Sequence, residues 1–199
     1  MCFETGYMGD PVAWQWRDRE SFADLFSGWY TDHAGHDALV VEGDGGTVRG
    51  YLLGCRDSQD VAGPGRLAAR HLLGRGLLVR PGTAPVLWRT LADVAVAAAR
   101  RDLPSGEVLD ERWPAHLHID LLPDARGSGL GRQLVTRWLD ALRADEVAGC
   151  HLVTWAENDG AVAFFEAMGF HREGPPQPML GLRSPEGQRH HTQLMVQAL

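Results

Sequence analysis

A chain of 199 residues with 44% hydrophobic and 23% charged residues has an ordinary globular composition, so we expect one domain over residues 1–199. The formal net charge of −7 argues against nucleic acid as the main partner, because nucleic-acid binding depends on clustered lysine and arginine. The chain has three widely spaced cysteines and no run of about 18 apolar residues, so we expect a cytoplasmic protein with reduced thiols and no membrane partner.

Residues 1–54 predict one helix followed by one β-hairpin. The first dozen residues show no clear period and form either a loop or a short first strand. Between Asp18 and Tyr30, large apolar residues recur at steps of three and four, which predicts a helix. Segments 38–42 and 47–54 are apolar and flank a glycine-rich turn, which predicts a β-hairpin. The apolar residues of the helix are Phe22, Leu25, Phe26 and Trp29.

The middle of the chain predicts one clear helix. Residues 56–82 have no dominant period, although 67–73 fit a short helix. An apolar stripe rich in alanine then predicts a helix from Pro85 to Arg101, because proline is favoured in a first helical turn. Residues 104–114 are predicted to be a loop.

The next segment predicts a strand, a glycine-rich loop, a helix and a second strand. Residues 115–121 alternate apolar and polar side chains, so we expect a strand with His118 and Asp120 on one face. A helical stripe runs from the loop to about residue 143, and 150–155 form a compact apolar run. This order is that of a βαβ unit.

The C-terminal part of the sequence predicts a short helix and one strand. Residues 159–168 fit the helix, which ends before Gly169. The segment 174–176 reads Gly-Pro-Pro and is predicted to break the chain before a last strand over 192–197.

The glycine segment between the first strand and its helix predicts an anion site. Its residues are Arg126, Gly127, Ser128, Gly129, Leu130, Gly131 and Arg132. A helix N-terminus presents unpaired amide donors and partial positive charge, and glycines let a phosphate approach closely. A turn without a ligand is the alternative. A dinucleotide site would need the spacing G-x-G-x-x-G and an acidic residue at the next strand end, but here the spacing is G-x-G-x-G.

These residues resemble the GCN5-related N-acetyltransferase (GNAT) superfamily, whose pyrophosphate loop is written Q/R-x-x-G-x-G/A. The segment from Asn158 to Phe170 is similar to the helix N-x-x-A-x-x-F-Y-x-x-x-G-F of that family. The resemblance covers residues 114–170, and 115–123 also resemble bacterial proteins related to the acetyltransferase-like C-terminal domain of O-GlcNAcase. It implies an α/β fold: a mixed, mostly antiparallel twisted sheet, helices on both faces, and a V-shaped splay between two central parallel strands.

The resemblance implies acetyl-CoA as co-substrate and gives a set of contact residues. The pantetheine arm and acetyl carbonyl would contact the backbone of Ile119, Asp120 and Leu121. The pyrophosphate would bind the amides of the glycine segment, and Arg126 and Arg132 would add cationic donors at its two ends. Asn158 would fix the pantetheine from the other side, or cap the following helix, or do both. Phe165 stands where the family often has a tyrosine that protonates the leaving thiolate.

The implied reaction is direct transfer of acetyl to a primary amine, which needs a base. His118 and Asp120 are the candidates; a solvated face or a buried hydrogen-bond network is the alternative for each. A β-bulge in this strand would change which face points into the cleft. His151 is a weaker candidate. No histidine shows ligand spacing with a thiol or carboxylate, so we expect no metal.

Three functions remain open at this stage. The first is an N-acetyltransferase acting on a small-molecule or peptide amine. The second is an acetyl-CoA-binding module without transfer, suggested by Phe165. The third is a nucleotide-binding oxidoreductase. The resemblance implies acceptor contacts from Trp14, Trp16, Tyr30 and residues 56–82, and packing in the core is the alternative for the three aromatic residues. Pairing of the last strand across a homodimer is a further option.

Overall fold

The structure, a computed structural model, describes residues 1–61, 76–104 and 108–199. In these residues the chain forms a six-stranded sheet. The strand order is β1-β2-β3-β4-β6-β5. The strands are β1 (Ala38–Glu42), β2 (Val48–Cys55), β3 (Ala115–Leu121), β4 (Gly149–Trp155), β5 (His171–Arg183) and β6 (Arg189–Ala198).

Six α-helices accompany the sheet in the part of the chain that is described. They are α1 (Cys2–Thr5), α2 (Arg19–Ala23), α3 (Trp29–His33), α4 (Ala84–Arg100), α5 (Leu130–Ala144) and α6 (Asp159–Ala167). A π-helical turn, Asp24–Gly28, connects α2 to α3. Among the described residues, no helix combines the length and the apolar character needed to cross a bilayer.

The sheet is mixed and mostly antiparallel, as predicted. Strands β3 and β4 are the parallel pair, and they are hydrogen-bonded only where Ala115 faces Cys150 and His116 faces His151. Beyond these residues the two strands, both fully described, separate. This is the V-shaped splay that the sequence resemblance implied.

Each face of the sheet carries its own apolar cluster, because neighbouring residues of a strand point to opposite faces. On one face, Leu52 and Leu117 pack with Trp138 of α5. On the other face, Tyr51 and Leu53 pack with N-terminal apolar residues. The N-terminal residues are Cys2, Phe3, Val12, Trp16 and Phe22. Helices therefore cover both faces, which confirms the predicted fold class.

The N-terminal helix differs from its prediction. A continuous helical face would bury all four apolar residues, but Phe22 is buried while Phe26 is 46% exposed. The π-helical turn between α2 and α3 adds a residue to the turn and rotates the following side chains around the axis. The predicted helix at 67–73 lies outside the described residues.

The predicted chain break at 174–176 was wrong. Strand β5 continues through this segment, and its pairing with β6 shifts register between Glu173 and Gln177. Proline is tolerated because β5 is an edge strand, where a missing amide hydrogen bond faces solvent. Strand β6, by contrast, is paired on both edges, so it has no free edge for pairing with a second copy.

Candidate active site

The cleft between β3 and β4 exposes a strand edge. Ile119, Asp120 and Leu121 pair with β2 in unbroken register but have no partner in β4. No bulge interrupts this pairing, so the two faces of β3 alternate as the sequence predicted. An unpaired strand edge offers amides and carbonyls to an extended ligand, as in strand addition by a peptide.

The glycine segment forms an open cradle at the N-terminus of α5. Gly127 and Gly129 have φ angles of 72° and 84°, in the left-handed region that favours glycine. A Cβ atom added at either position would meet no atom within 4 Å. Gly129 is the N-cap of α5 and no side chain caps the helix, so its first amides are available for an anion. The cradle therefore fits a pyrophosphate.

The remaining residues of this segment differ in their contacts and exposure. Ser128 Oγ donates a hydrogen bond to the Ala125 carbonyl at 2.7 Å. Gly131 lies at a close packing point, because a Cβ atom there would be 3.2 Å from Leu121 and 3.4 Å from Phe164. Leu130 begins α5, and Arg132 is exposed beside the cradle.

Arg126 connects the end of β3 to the N-terminal segment. Its Nε donates to the Leu121 carbonyl at 3.0 Å, and its Nη2 donates to the Gly9 carbonyl at 2.5 Å. Two residues away, Tyr7 packs against Trp155, the last residue of β4, with ring centroids 5.6 Å apart. We call residues 7–10 the strap, because this segment contacts the ends of both splayed strands.

Asn158 caps helix α6, and Phe165 lies in the core. The Asn158 side chain accepts a hydrogen bond from the Ala161 amide at 3.1 Å. Phe165 is 6% exposed and packs against Phe164 and Phe170. The capping interpretation of Asn158 is therefore realised, and Phe165 contributes to packing.

His118 and Asp120 meet on the face of β3 that carries the N-terminal helices. His118 Nε2 lies 3.2 Å from Asp120 Oδ2. Tyr51, opposite Asp120 on β2, hydrogen-bonds both: its hydroxyl is 3.1 Å from His118 Nε2 and donates to Asp120 Oδ2. The three side chains form one network.

Electrostatics place a proton on His118. Burial disfavours the imidazolium, but hydrogen bonds with Asp120 and Cys2, together with the charge of Asp120, outweigh it and raise the pKa of His118 to about 10. Burial also acts to raise the pKa of Asp120, yet hydrogen bonds with His118 and Tyr51 hold it below its usual range. Burial and the Asp120 carboxylate raise the pKa of Tyr51. At neutral pH the network is an imidazolium–carboxylate pair beside a neutral phenol.

Sequence reasoning missed two members of this site. Tyr51 joins it because β2 and β3 are paired so that Tyr51 faces Asp120. Cys2 joins it because α1 packs on the same face; its sulfur lies within 4.8 Å of ligand atoms of His118 and Asp120. The alternation of β2 could have indicated the face of Tyr51, but no local pattern indicated the position of Cys2.

The other predicted candidates lie apart from the network. His151 is buried and its Nδ1 is 2.8 Å from the Trp113 carbonyl. Trp16 is buried and donates to Ser21 Oγ at 3.0 Å, so it belongs to the core. Trp14 is 41% exposed and packs on Tyr7, while Tyr30 packs on His116.

Comparison with known proteins agrees with this geometry. Residues 7–170 match the model of the acetyltransferase (GNAT) family. This match spans most of the chain, and the protein belongs to the GNAT acetyltransferase family. The protein is thus a GNAT-family N-acetyltransferase, and acetyl-CoA is the co-substrate of this family.

Solved structures show the same fold. The chain is 25% identical to a protein described as SsHAT, with a TM-score of 0.63, covering 99% of this chain and 89% of that one. It is 17% identical to ribosomal-protein-alanine N-acetyltransferase from Brucella melitensis, with a TM-score of 0.55 and coverage of 100% and 91%. It is 16% identical to a phosphinothricin acetyltransferase from Sinorhizobium meliloti in complex with AcCoA, with a TM-score of 0.55 and coverage of 99% and 80%.

Proposed function

We propose that this chain transfers the acetyl group of acetyl-CoA directly to a primary amine of a small molecule or a peptide. The observation that carries the proposal is the position of the His118–Asp120 pair, which lies on the β3 segment that borders the splay. An acetyl group held along the Ile119–Leu121 edge would place its carbonyl carbon beside this pair. The acceptor would approach from the face that carries Tyr51 and the strap.

The acetyl-CoA part of the proposal rests on three features. The pyrophosphate would bind the amides of residues 127–132, with Arg132 exposed beside it. The pantetheine would pair with the free edge of β3. Asn158 would contact it from α6 through its amide nitrogen, since its oxygen caps the helix.

The amine must lose a proton before it attacks the thioester carbon. We assign this step to His118, with Asp120 and Tyr51 positioning its ring. Because His118 is protonated at rest, the active fraction grows as the pH rises toward the His118 pKa of about 10. A primary amine has a comparable pKa, of roughly 10, so proton transfer between the two groups is nearly balanced in energy.

The leaving thiolate has no tyrosine at the family position, because Phe165 stands there. A thiol has a pKa of about 8.5, so the CoA thiolate leaves without obligatory protonation, and water protonates it afterwards. This substitution also motivates the second candidate function, an acetyl-CoA-binding module that does not transfer the group.

The proposal is tested by measuring thiol release from acetyl-CoA with a panel of amines. Spermidine, an aminoglycoside, an amino sugar and a lysine peptide cover the small-molecule and peptide classes. The expected result is release above the hydrolysis blank with at least one amine, together with a product heavier by one acetyl group. Acetyl-CoA binding without release from any amine would instead support the binding module.

The cofactor site has its own test, Gly129→Glu with Gly187→Glu as the matched control. Both glycines have nearly equal φ angles, 84° and 85°, and open space around an added Cβ atom. Both variants therefore carry a similar backbone strain of about 1–2 kcal/mol. We expect calorimetry to show acetyl-CoA binding lost in Gly129→Glu alone; equal binding in both variants would contradict the cradle assignment.

We also propose the finer relationships that the sequence suggested. The segment 115–123 supports a place among proteins similar to the acetyltransferase-like C-terminal domain of O-GlcNAcase. Three free, buried cysteines fit a reducing compartment, which supports a cytoplasmic location. Cell fractionation and an acceptor screen that includes protein substrates address these two points.

A further inference from the structure

Three different metal-ligating side chains lie close together on the face of β3 that carries the N-terminal helices. The Cys2 sulfur, a ring nitrogen of His118 and a carboxylate oxygen of Asp120 all lie within 4.8 Å of one another. They come from two separate elements, α1 and β3, so the fold and not local sequence brings them together.

Both elements that carry these three residues, β3 and α1, hold them in place. On β3, His118 and Asp120 are two residues apart and so project from the same face. On α1, Cys2 is 6% exposed, and its neighbour Phe3 is buried against Phe22 with ring centroids 5.9 Å apart. The Cys2 side chain is therefore anchored in the core while facing the polar pair.

The donor set matches the ligand preference of zinc. Zinc binds cysteine sulfur at about 2.3 Å, histidine nitrogen at about 2.0–2.1 Å and carboxylate oxygen at about 2.0–2.2 Å, in tetrahedral geometry. Tetrahedral bonds of these lengths place neighbouring nitrogen and oxygen ligands about 3.3–3.5 Å apart. The observed separation of His118 Nε2 and Asp120 Oδ2 is 3.2 Å.

The donor set leaves a fourth coordination position, and the cluster is partly exposed on the His118 side. Three protein ligands leave one tetrahedral position open, as in zinc sites that keep a water molecule. Tyr51, whose hydroxyl contacts both His118 and Asp120, borders this position. The His118 side chain is 33% exposed, so the cluster borders solvent on the His118 side.

We propose that Cys2, His118 and Asp120 form a Zn²⁺ site whose occupation inhibits acetyl transfer. The inhibitory part rests on the proposed function, because the bound ion takes the nitrogen lone pair of His118 that would accept the proton from the amine. Binding forms Zn–S, Zn–N and Zn–O bonds and releases the thiol and imidazolium protons to solvent. No oxidation or reduction takes place.

The binding part is tested without any activity measurement. Untagged, metal-stripped protein is titrated with Zn²⁺ in competition with a chromophoric chelator. We expect one equivalent of Zn²⁺ to bind, and Cys2→Ala to weaken the affinity by at least about 100-fold, because loss of a ligand exceeds the 10–100-fold effect of a supporting residue. Cys55→Ala is the matched control, since Cys55 is also a free, buried thiol, and it keeps the wild-type affinity.

Cobalt gives a second readout of the same ligands. Co²⁺ in the site produces a thiolate-to-metal charge-transfer band in the wild type and in Cys55→Ala, and Cys2→Ala loses this band. Cys2→Ser, which keeps the side-chain volume, guards against a folding defect, and acetyl-CoA binding checks the fold of every variant. Absence of Zn²⁺ binding, or equal affinity in Cys2→Ala and wild type, overturns the proposal.

The inhibitory part is tested by mass detection of the acetylated amine. We expect Zn²⁺ to suppress turnover of the wild type by at least tenfold and a chelator to restore it. In Cys2→Ala, turnover with Zn²⁺ is compared with the same variant's turnover without Zn²⁺, and we expect the two to be equal. Full activity of the zinc-loaded wild type overturns the inhibitory role. If the metal-free protein acetylates no amine, the proposed function fails, while the chelator competition and cobalt band still decide the site.

Discussion

His118 shows how the environment of a single residue sets a pH dependence. Asp120 and, to a smaller extent, Cys2 raise the pKa of His118 to about 10, far above the ordinary value of about 6.5. A histidine acts as a base only after losing its proton, so kcat/KM of the wild type is expected to rise with pH between neutrality and about 10.

Asp120→Asn is expected to shift the pH range in which kcat/KM rises. Without the carboxylate, burial lowers the pKa of His118 and only the contact with Cys2 opposes it, so kcat/KM begins to rise at lower pH while the maximum rate drops. The measurement is kcat/KM against pH for wild type, Asp120→Asn and His118→Ala. If kcat/KM rises over the same pH range in wild type and in Asp120→Asn, the rise reflects deprotonation of the substrate amine and not of His118.

Phe165 allows a second test at the level of one side chain. Its ring is 6% exposed and lies within the core cluster of the sheet. Phe165→Tyr is expected to lower the free energy of unfolding by about 1–3 kcal/mol, because its added hydroxyl loses solvent without gaining a partner. We expect no increase in kcat. A faster variant would mean that this ring reaches the thioester after all.

At the level of elements, one buried carboxylate joins a helix to two strands. Asp93 of α4 accepts hydrogen bonds from Arg183 at 2.6 Å, from the Gly181 amide at 2.9 Å and from Arg189 at 3.1 Å. These contacts outweigh its burial and lower the pKa of Asp93. The ion pair therefore fixes α4 on the sheet.

Asp93→Asn should unfold at lower urea concentration than the wild type. Removing one charge leaves Arg183, whose side chain is 13% exposed, without its partner, at a cost of about 3–5 kcal/mol. Asp140→Asn is the matched control, because its pair with Arg143 is exposed and contributes about 0–1 kcal/mol. Similar losses in both variants would mean that the Asp93 network is not a structural tie.

The periodicity, length and position of each element explain which elements could be predicted from the sequence. The strand at 115–121 and helix α5 have clear periods, and both were predicted with bounds close to those observed. Strand β5 was missed because Gly174 and two prolines mimic a break, and only its edge position makes them compatible with a strand. Short α1 has too few residues to show any period.

At the level of the molecule, the glycine cradle was more predictable than the face proposed to bind the acceptor. The glycine cradle is a local motif, so contiguous residues define it completely. The proposed acceptor face combines β3 with Tyr51, Cys2 and the strap, whose positions depend on strand register and on packing between distant segments. Such contacts leave no periodic signal in one sequence.

The strap also has a consequence for how the protein is made. The hydroxyl of Tyr7 contacts Nε2 of His190 at 3.1 Å, across a separation of 183 residues. Tyr7 therefore leaves the ribosome long before its partner, which is on β6, and β6 must first insert between β4 and β5. The partners of the strap at Arg126 and Trp155 are translated earlier, whereas the contact between Tyr7 and His190 waits for the last strand. The N-terminal segment therefore gains its full set of contacts only when the last strand is in place.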